Sequence, residues 1–295
     1  MTEIKKVGVL GCGLMGSGIA QVCAQSGYEV VVRDIEQGII DAWFRKIEKF
    51  WHKSVEKGKI SSEDVKSFSA RLKGTTEMNG LKGCDLVIEV LPEDIDLKRE
   101  TFQLLDKIVD VSTIIASNTS SLSITEMAAF FSSPGRFIGM HFFNPVPLMK
   151  LVEIVKSIVT DNEVLETAFE FVKSLGKVGI AAKDNCGFIV NLLLIPYVFD
   201  AIRAFENGVG SIEDIDNGMK LGAGHPMGPF SLADLVGLDT AYKIGGVMFD
   251  EYKEARYAPP SILKKMVQCG YLGRKTGKGF YDYAKDPAKV NDLNF

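Results

Sequence analysis

The sequence predicts an α/β domain with a mostly parallel sheet, followed by an all-α domain. Strand and helix patterns alternate as far as about residue 184, whereas residues 185–271 show helical spacing only. The chain has 295 residues, of which 46% are hydrophobic, so it can bury two cores. Alternating strands and helices are typical of a parallel sheet with helices on its faces. We therefore expect one domain over residues 1–184 and a second over residues 185–295.

Short apolar runs predict the strands of the first domain, and apolar residues at helical spacing predict its helices. The predicted strands are residues 6–10, 28–34, 84–91, 112–117, 136–143, 150–155 and 177–182. The predicted helices are residues 17–27, 39–57 and 161–176, with two more that start near residue 96 and at Ser123. Ser123 and Ser211 each precede an acid by three residues, which is the spacing of a capping box at the start of a helix.

Charge, hydropathy and cysteine usage exclude several kinds of partner. The net charge is −4 and both signs are interspersed, so we expect no surface for nucleic acid or membrane. The longest apolar run, residues 187–199, is interrupted by Asn191 and Pro196 and is too short to span a bilayer. Five cysteines without a CxxC pair predict reduced thiols, rather than disulfides or a metal site. We expect a cytoplasmic protein.

A glycine-rich turn joins the first predicted strand to the first predicted helix. The turn reads GCGLMG over Gly11–Gly16 and matches G-x-G-x-x-G. In such a turn Gly11 permits the tight bend, Gly13 lets the backbone approach a pyrophosphate, and Gly16 lets helix and strand pack closely. The start of the helix, at Leu14 and Met15, offers backbone N–H groups and a positive dipole to the phosphates. This pattern predicts a dinucleotide site; the alternative is a turn whose glycines only serve packing.

Asp34 lies at the end of the second predicted strand, 23 positions after Gly11. A carboxylate at that position accepts hydrogen bonds from the adenine ribose and would repel a 2′-phosphate. The sequence therefore favours NAD over NADP. Arg33, directly before it, argues weakly in the other direction, because arginine could bind a 2′-phosphate.

The apolar stretch HFFNPVPLMKLVEIV begins with His141 and carries Glu153 twelve positions later. A dehydrogenase of alcohols needs a base for the hydroxyl proton, and histidine titrates near neutrality. A carboxylate on the other ring nitrogen would fix the tautomer and stabilise the imidazolium. The two residues lie on neighbouring predicted strands, which can bring them together. On these residues alone, His141 is more often a hydrogen-bonded histidine of the core than a catalytic base.

Five motifs, in the order GCGLMG, ASNTSSLSI, HFFNPVPLMKLVEIV, GFIVN and GHPMGPFSLADLVGLDT, together resemble the L-3-hydroxyacyl-CoA dehydrogenase family. The resemblance covers nearly the whole chain and is greatest to short bacterial members that act on 3-hydroxybutyryl-CoA. It implies a Rossmann-like NAD-binding domain and a helical domain for substrate binding and dimerisation. It also implies reversible hydride transfer between NAD and a short-chain (S)-3-hydroxyacyl-CoA, in a homodimer.

The resemblance implies roles for four candidate catalytic residues. His141 would be the base and Glu153 its partner, while Ser120 and Asn191 would bind the substrate oxygen. On the residues alone, Ser120 could merely precede a helix. Asn191 could be a buried amide with protein partners, although burying an amide without partners is costly.

The resemblance also implies contacts with the cofactor and with CoA. Glu93 and Lys98 would lie near NAD, with Pro92 departing from the commoner pattern, and Asn144 would lie beside the nicotinamide. Lys275 is a weaker cofactor candidate. The basic stretch 45–59, which contains Lys57, could receive CoA phosphates, or it could be a solvated helical face.

Two alternatives stay open. A β-hydroxyacid dehydrogenase of the 6-phosphogluconate type shares a similar glycine turn but relies on a lysine where this chain carries Asn191. Members of the L-3-hydroxyacyl-CoA dehydrogenase family, in turn, often have an arginine after that asparagine, whereas this chain has Leu192. The other alternative is a non-enzymatic, structural relative that binds NAD.

Overall fold

The computed structural model describes residues 3–291 and consists of two compact units. The division falls between Asn185 and Cys186. The boundary expected from the sequence, between residues 184 and 185, is one residue earlier.

Eight strands of the first unit form one sheet in the order β3-β2-β1-β4-β5-β6-β7-β8. The strands are β1 (Lys6–Leu10), β2 (Glu29–Arg33), β3 (Leu72–Thr75), β4 (Leu86–Glu89), β5 (Ile114–Ser117), β6 (Phe137–Phe142), β7 (Leu151–Lys156) and β8 (Val178–Lys183). All neighbours pair in parallel except β6 and β7. The expected mostly parallel sheet is therefore confirmed.

Six α-helices accompany this sheet in the described part of the first unit. They are α1 (Leu14–Gln25), α2 (Gln37–Glu56), α3 (Ser62–Arg71), α4 (Ile95–Asp106), α5 (Ile124–Ala128) and α6 (Asn162–Ser174). The predicted capping serine of α5 is confirmed, because the Ser123 side chain accepts from the Glu126 N–H at 3.2 Å. Strands β4, β5 and β6 are buried along their whole length, as expected for central strands of a parallel sheet.

The edge strand β3 and the preceding helix α3 were not predicted from the sequence. β3 reads LKGT and has no buried residue, and α3 buries only Val65, so neither carries a clear apolar pattern. The start of α3 did have a usable signal. Ser61 and Asp64 form a capping box, with the Ser61 N–H donating to Asp64 at 2.8 Å and the Asp64 N–H to Ser61 at 3.0 Å.

The second unit is helical, as expected, with one short addition. Its α-helices in the described part are α7 (Val190–Glu206), α8 (Ile212–Asn217), α9 (Pro229–Val236), α10 (Leu238–Tyr252) and α11 (Ser261–Gln268). A two-residue strand pair, β9 (Tyr281–Asp282) with β10 (Lys289–Val290), follows them. Its core is built around large side chains such as Phe199, Phe230 and Phe280. Between residues 3 and 291, no helix combines the length and the apolar character that crossing a bilayer requires.

Candidate active site

Most of the predicted site residues of the first unit lie in or after strands that end at one edge of the sheet. Strands β1, β4, β5 and β6 are parallel, so their carboxyl ends lie at the same edge. The chain order reverses at β1, which has β2 on one side and β4 on the other. Open α/β sheets bind ligands outside the carboxyl ends of their strands at such a reversal.

The glycine turn has the close contacts that its sequence pattern predicts. Gly11 adopts φ +110°, and a Cβ there would lie 2.7 Å from the Val90 carbonyl oxygen. A Cβ on Gly16 would lie 1.9 Å from the Gly11 carbonyl oxygen, so only glycine fits. A Cβ on Gly13 would meet no atom within 4 Å, which leaves space beside the start of α1. The first N–H groups of a helix have no partner within it, so this space suits a pyrophosphate.

Asp34 is held against this turn by two backbone N–H groups. Its Oδ2 accepts from the Cys12 N–H at 2.6 Å, and its Oδ1 accepts from the Ile35 N–H at 2.7 Å. Each carboxylate oxygen can accept a further hydrogen bond, so both can receive a ribose hydroxyl. The Arg33 side chain is committed elsewhere, because its Nε donates to the Thr76 carbonyl at 3.2 Å. These residues therefore fit the ribose of NAD.

His141 and Glu153 form a buried pair between β6 and β7. The antiparallel register places the two residues directly opposite each other. His141 Nδ1 lies 2.7 Å from Glu153 Oε2, and the two side chains are 8% and 0% exposed. Such a carboxylate favours the hydrogen on Nδ1, and Nε2 of the neutral ring then carries the lone pair. The pair can therefore accept a proton at Nε2 and stabilise the resulting imidazolium.

Ser120 lies in the segment after β5 and is bound to Glu93, which follows β4. Glu93 Oε1 accepts from the Ser120 N–H at 2.9 Å and from Ser120 Oγ at 3.3 Å. It also accepts from Thr119 Oγ1 at 2.8 Å. Burial acts to raise the pKa of Glu93, but Lys98 and these hydrogen bonds outweigh it, so the pKa lies below its usual value. Glu93 is therefore an ionised acceptor at the edge of the sheet.

Lys98 is buried and points at two carboxylates. Its Nζ lies 2.8 Å from Glu89 Oε1 and 3.2 Å from Glu93 Oε2, and its side chain is 1% exposed. Glu89 was not singled out from the sequence. The available signal was an acid in the apolar run DLVIEVL, nine residues before a lysine.

Asn118 is a second residue that the sequence reasoning missed. Its side-chain oxygen accepts from the Phe142 N–H at 2.8 Å, next to His141. The segment that carries Ser120 is therefore tied to the strand that carries the histidine.

Two further predicted residues of the first unit are exposed. Asn144 lies in the loop after β6, and Lys57 directly follows α2. Neither makes a side-chain hydrogen bond within the described chain, and their roles stay predictions.

Asn191 and Lys275 lie in the second unit. Asn191 is the second residue of α7 and is 8% exposed. Its amide makes no hydrogen bond to another residue between 3 and 291, so the alternative of a satisfied core amide loses support. Lys275 Nζ is paired with Asp239 Oδ1 at 2.5 Å. The roles predicted for both residues stay predictions.

A Rossmann-type turn with a ribose acid, together with a buried histidine–carboxylate pair at the same sheet edge, defines the class of dinucleotide-dependent oxidoreductases. Comparison with known proteins narrows this class. The profile of "3-hydroxyacyl-CoA dehydrogenase, NAD binding domain" matches residues 6–185, and that of the C-terminal domain of the same family matches residues 187–283. The chain belongs to the 3-hydroxyacyl-CoA dehydrogenase family.

Similar proteins extend over nearly the whole chain. A 3-hydroxybutyryl-CoA dehydrogenase of Clostridioides difficile is 44% identical over 280 residues, which are 95% of this chain and 100% of that protein. The mitochondrial hydroxyacyl-coenzyme A dehydrogenase of Homo sapiens is 45% identical over 289 residues, a match that covers 95% of this chain and 91% of that protein. The crystal structure of (S)-3-hydroxybutyryl-CoA dehydrogenase from Ralstonia eutropha matches with a TM-score of 0.91 at 43% identity. The match covers 96% of this chain and 100% of that chain.

Proposed function

We propose that this chain catalyses reversible hydride transfer between NAD and C3 of a short-chain (S)-3-hydroxyacyl-CoA, with 3-hydroxybutyryl-CoA and acetoacetyl-CoA as the substrate pair. The observation that carries the proposal is the buried His141–Glu153 pair at the same sheet edge as the glycine turn. Relatives of similar length that are named for this reaction support the choice of substrate.

In the oxidative direction His141 Nε2 takes the proton of the C3 hydroxyl as the hydride leaves C3. Bound NAD⁺ supplies the hydride acceptor. Glu153 holds the imidazole through Nδ1 and stabilises its positive charge while the C3 oxygen becomes a carbonyl. In the reductive direction the protonated His141 returns the proton to that oxygen.

Ser120 is proposed to donate a hydrogen bond to the C3 oxygen. Its hydroxyl can rotate away from Glu93, because the Ser120 N–H at 2.9 Å and Thr119 Oγ1 at 2.8 Å keep that segment attached to the carboxylate. Asn144, Glu93 and Lys275 are proposed on the NAD side, and Lys57 on the CoA side. Asn191 is proposed as the second ligand of the substrate oxygen, on the basis of the family pattern.

The test is NADH oxidation with acetoacetyl-CoA, followed by loss of absorbance at 340 nm. Saturable turnover that falls on His141→Asn supports the proposal. NADH binding without turnover of acetoacetyl-CoA would instead support a non-enzymatic relative, and turnover of a simple β-hydroxyacid alone would support the 6-phosphogluconate type.

We also propose a cytoplasmic homodimer. The five cysteines, which all lie between residues 3 and 291, form no disulfide, and this is typical of a reducing compartment. The exposed apolar side chains of the second unit, among them Leu193 at 65% and Leu235 at 51%, are consistent with subunit association. Sedimentation velocity checks the dimer, and a single species of monomer mass would contradict it.

A further inference from the structure

Glu89 is a buried carboxylate for which the mechanism above has no use. It ends β4, is 0% exposed, and accepts hydrogen bonds from groups on three different segments. Lys98 Nζ donates to both of its oxygens at 2.8 and 3.0 Å, the Leu91 N–H donates at 2.5 Å, and Ser117 Oγ donates at 2.5 Å. A buried ion pair is often no more stabilising than apolar residues of the same volume. Stability alone therefore does not account for this pair.

The contacts of Glu89 close a ring around the predicted cofactor side of the site. In one direction, Lys98 Nζ lies 3.2 Å from Glu93 Oε2, and Glu93 binds the Ser120 N–H. In the other direction, Ser117 Oγ accepts from the Thr119 N–H at 3.2 Å, and Thr119 Oγ1 donates to Glu93. Glu89 is thus bound to the segment that carries Ser120 by two routes, one through Lys98 and Glu93 and the other through Ser117.

Glu89 also reaches the glycine turn. Its hydrogen bond to Leu91 holds the backbone just after β4, where the Val90 carbonyl lies so close to Gly11 that a Cβ there would be 2.7 Å away. The Val90 N–H donates to the Leu10 carbonyl at 2.8 Å. The same carboxylate therefore fixes the backbone that borders the pyrophosphate turn.

The charges in the ring explain why a carboxylate is needed. Lys98 is shared between two carboxylates, of which Glu89 is the fully buried one. Without a negative charge on Glu89, the ammonium would pair with Glu93 alone. Glu93 would then turn toward Lys98 and release Ser120 and Thr119.

We propose that Glu89 is a positioning residue for NAD(H): it holds Lys98 and Ser117 and thereby fixes Glu93, Ser120 and the backbone beside the glycine turn. The inference rests on the proposed function, because it takes this edge of the sheet as the NAD site. Glu89 itself does not touch the cofactor, since it is completely buried.

The test is NADH affinity of Glu89→Gln, measured by fluorescence titration. Glutamine keeps the shape but removes the charge, so we expect Kd for NADH to rise about 10-fold. We expect kcat at saturating NADH to fall as well, because the segment that carries Ser120 loses its attachment to Glu93. Ser117→Ala keeps every charge and removes the two ring bonds that Ser117 Oγ makes, with Glu89 and with the Thr119 N–H. It should raise Kd in the same direction by a smaller factor. This milder variant decides the question if Glu89→Gln does not fold.

Asp106→Asn is the matched control, because it breaks the ion pair with the buried Arg136 in the same unit, away from the ring. It should lower Tm and leave Kd for NADH unchanged. If Glu89 had only a structural role, Glu89→Gln and Ser117→Ala would also lower Tm and leave Kd for NADH unchanged. That result in both variants overturns the inference.

The titration measures binding and does not require turnover. Wild-type protein that binds NADH but does not reduce acetoacetyl-CoA therefore contradicts the proposed function and leaves this test intact. Wild-type protein that does not bind NADH overturns both.

Discussion

His141 lies beside Glu153 because β6 and β7 run antiparallel in a register that pairs these two residues. A shift of one residue would turn either side chain to the opposite face of the sheet. The His141 ring also lies against Phe143, with centroids 4.5 Å apart, and the side chains of the pair are 8% and 0% exposed. Low solvent exposure strengthens the interaction between the carboxylate and a protonated ring.

Replacing His141 with asparagine should lower kcat by about 10²–10⁴, the range for loss of a general base. Asparagine keeps some polarity but cannot take the proton. His52→Asn is the control, because His52 is exposed on α2 and its replacement should leave kcat unchanged. Steady-state kinetics with acetoacetyl-CoA measure the effect, and near-normal turnover in folded His141→Asn protein would return His141 to the role of a core histidine.

Glu153→Gln should also lower kcat, since it keeps the shape of the side chain but removes the charge that stabilises the imidazolium. The double variant with His141→Asn should lose far less than the product of the two single losses, because the pair acts as a unit. Kd for NADH should stay nearly unchanged in all three variants. Independent, multiplicative losses would contradict a catalytic pair.

Asp34→Ser should reduce the preference for NADH over NADPH. The substitution removes the charge that repels a 2′-phosphate and the two acceptors for the Cys12 and Ile35 N–H groups. Comparing kcat/KM for the two cofactors measures the change. Wild-type enzyme that uses NADPH as well as NADH would refute the assignment of Asp34.

At the scale of elements, the loop between β6 and β7 depends on one buried lysine. Lys177, just before β8, donates from Nζ to the Val146 carbonyl at 2.6 Å and the Met149 carbonyl at 2.7 Å. Burial lowers the pKa of this ammonium. The loop contains Asn144, so a lysine near another strand supports a segment proposed to border the cofactor.

Lys177→Met should lower the free energy of unfolding by about 2–4 kcal/mol, because it leaves two carbonyls without their donor. Lys173→Met on α6 is the matched control, since Lys173 is exposed and its loss should change stability by about 0.5 kcal/mol or less. Urea denaturation measures both. Equal stabilities of the two variants would mean that water replaces the ammonium without cost.

The sequence predicted the central elements well because their patterns are strong. The apolar runs of β1, β4, β5 and β6, the glycine turn and the capping serine Ser123 carry local signals that the tertiary structure reinforces. The edge strand β3 and the exposed helix α3 lack an apolar face and were missed.

The candidate site was predictable only in part, for a related reason. A motif identifies residues that face a ligand, but the groups that support them from behind, Glu89, Asn118 and Lys177, are defined by distances between segments far apart in sequence. A buried charge in an apolar run is the one sequence signal that Glu89 offers. Its partners Lys98 and Ser117 come from other elements.

At the scale of the whole molecule, each unit has its own hydrophobic core. In the second unit, two buried acids bind the C-terminal strand pair to the helices. Asp216 accepts from the Phe230 N–H at 2.8 Å and from Tyr281 Oη at 2.9 Å. Asp234 accepts from the N–H groups of Phe280 and Tyr281, both at 3.0 Å, and from Tyr283 Oη at 3.0 Å. These bonds attach the C-terminal strand pair to α8 and α9, so the fold of this unit depends on two buried carboxyl groups.

Stability should therefore depend on pH through Asp234, whose pKa is raised by burial, and less by the nearby Asp216, from 3.8 to about 6. The native state then binds the proton more tightly than the unfolded chain. The stabilising contribution is fully present below about pH 3.8 and is lost as pH rises through about 6. Between pH 4.5 and 7 the free energy of unfolding of the wild type should fall by roughly 2 kcal/mol relative to Asp234→Asn, which cannot titrate. Urea denaturation of both proteins across this range measures the difference. Because the other carboxyl groups titrate alike in the two proteins, parallel pH profiles would show that Asp234 ionises near its ordinary pKa.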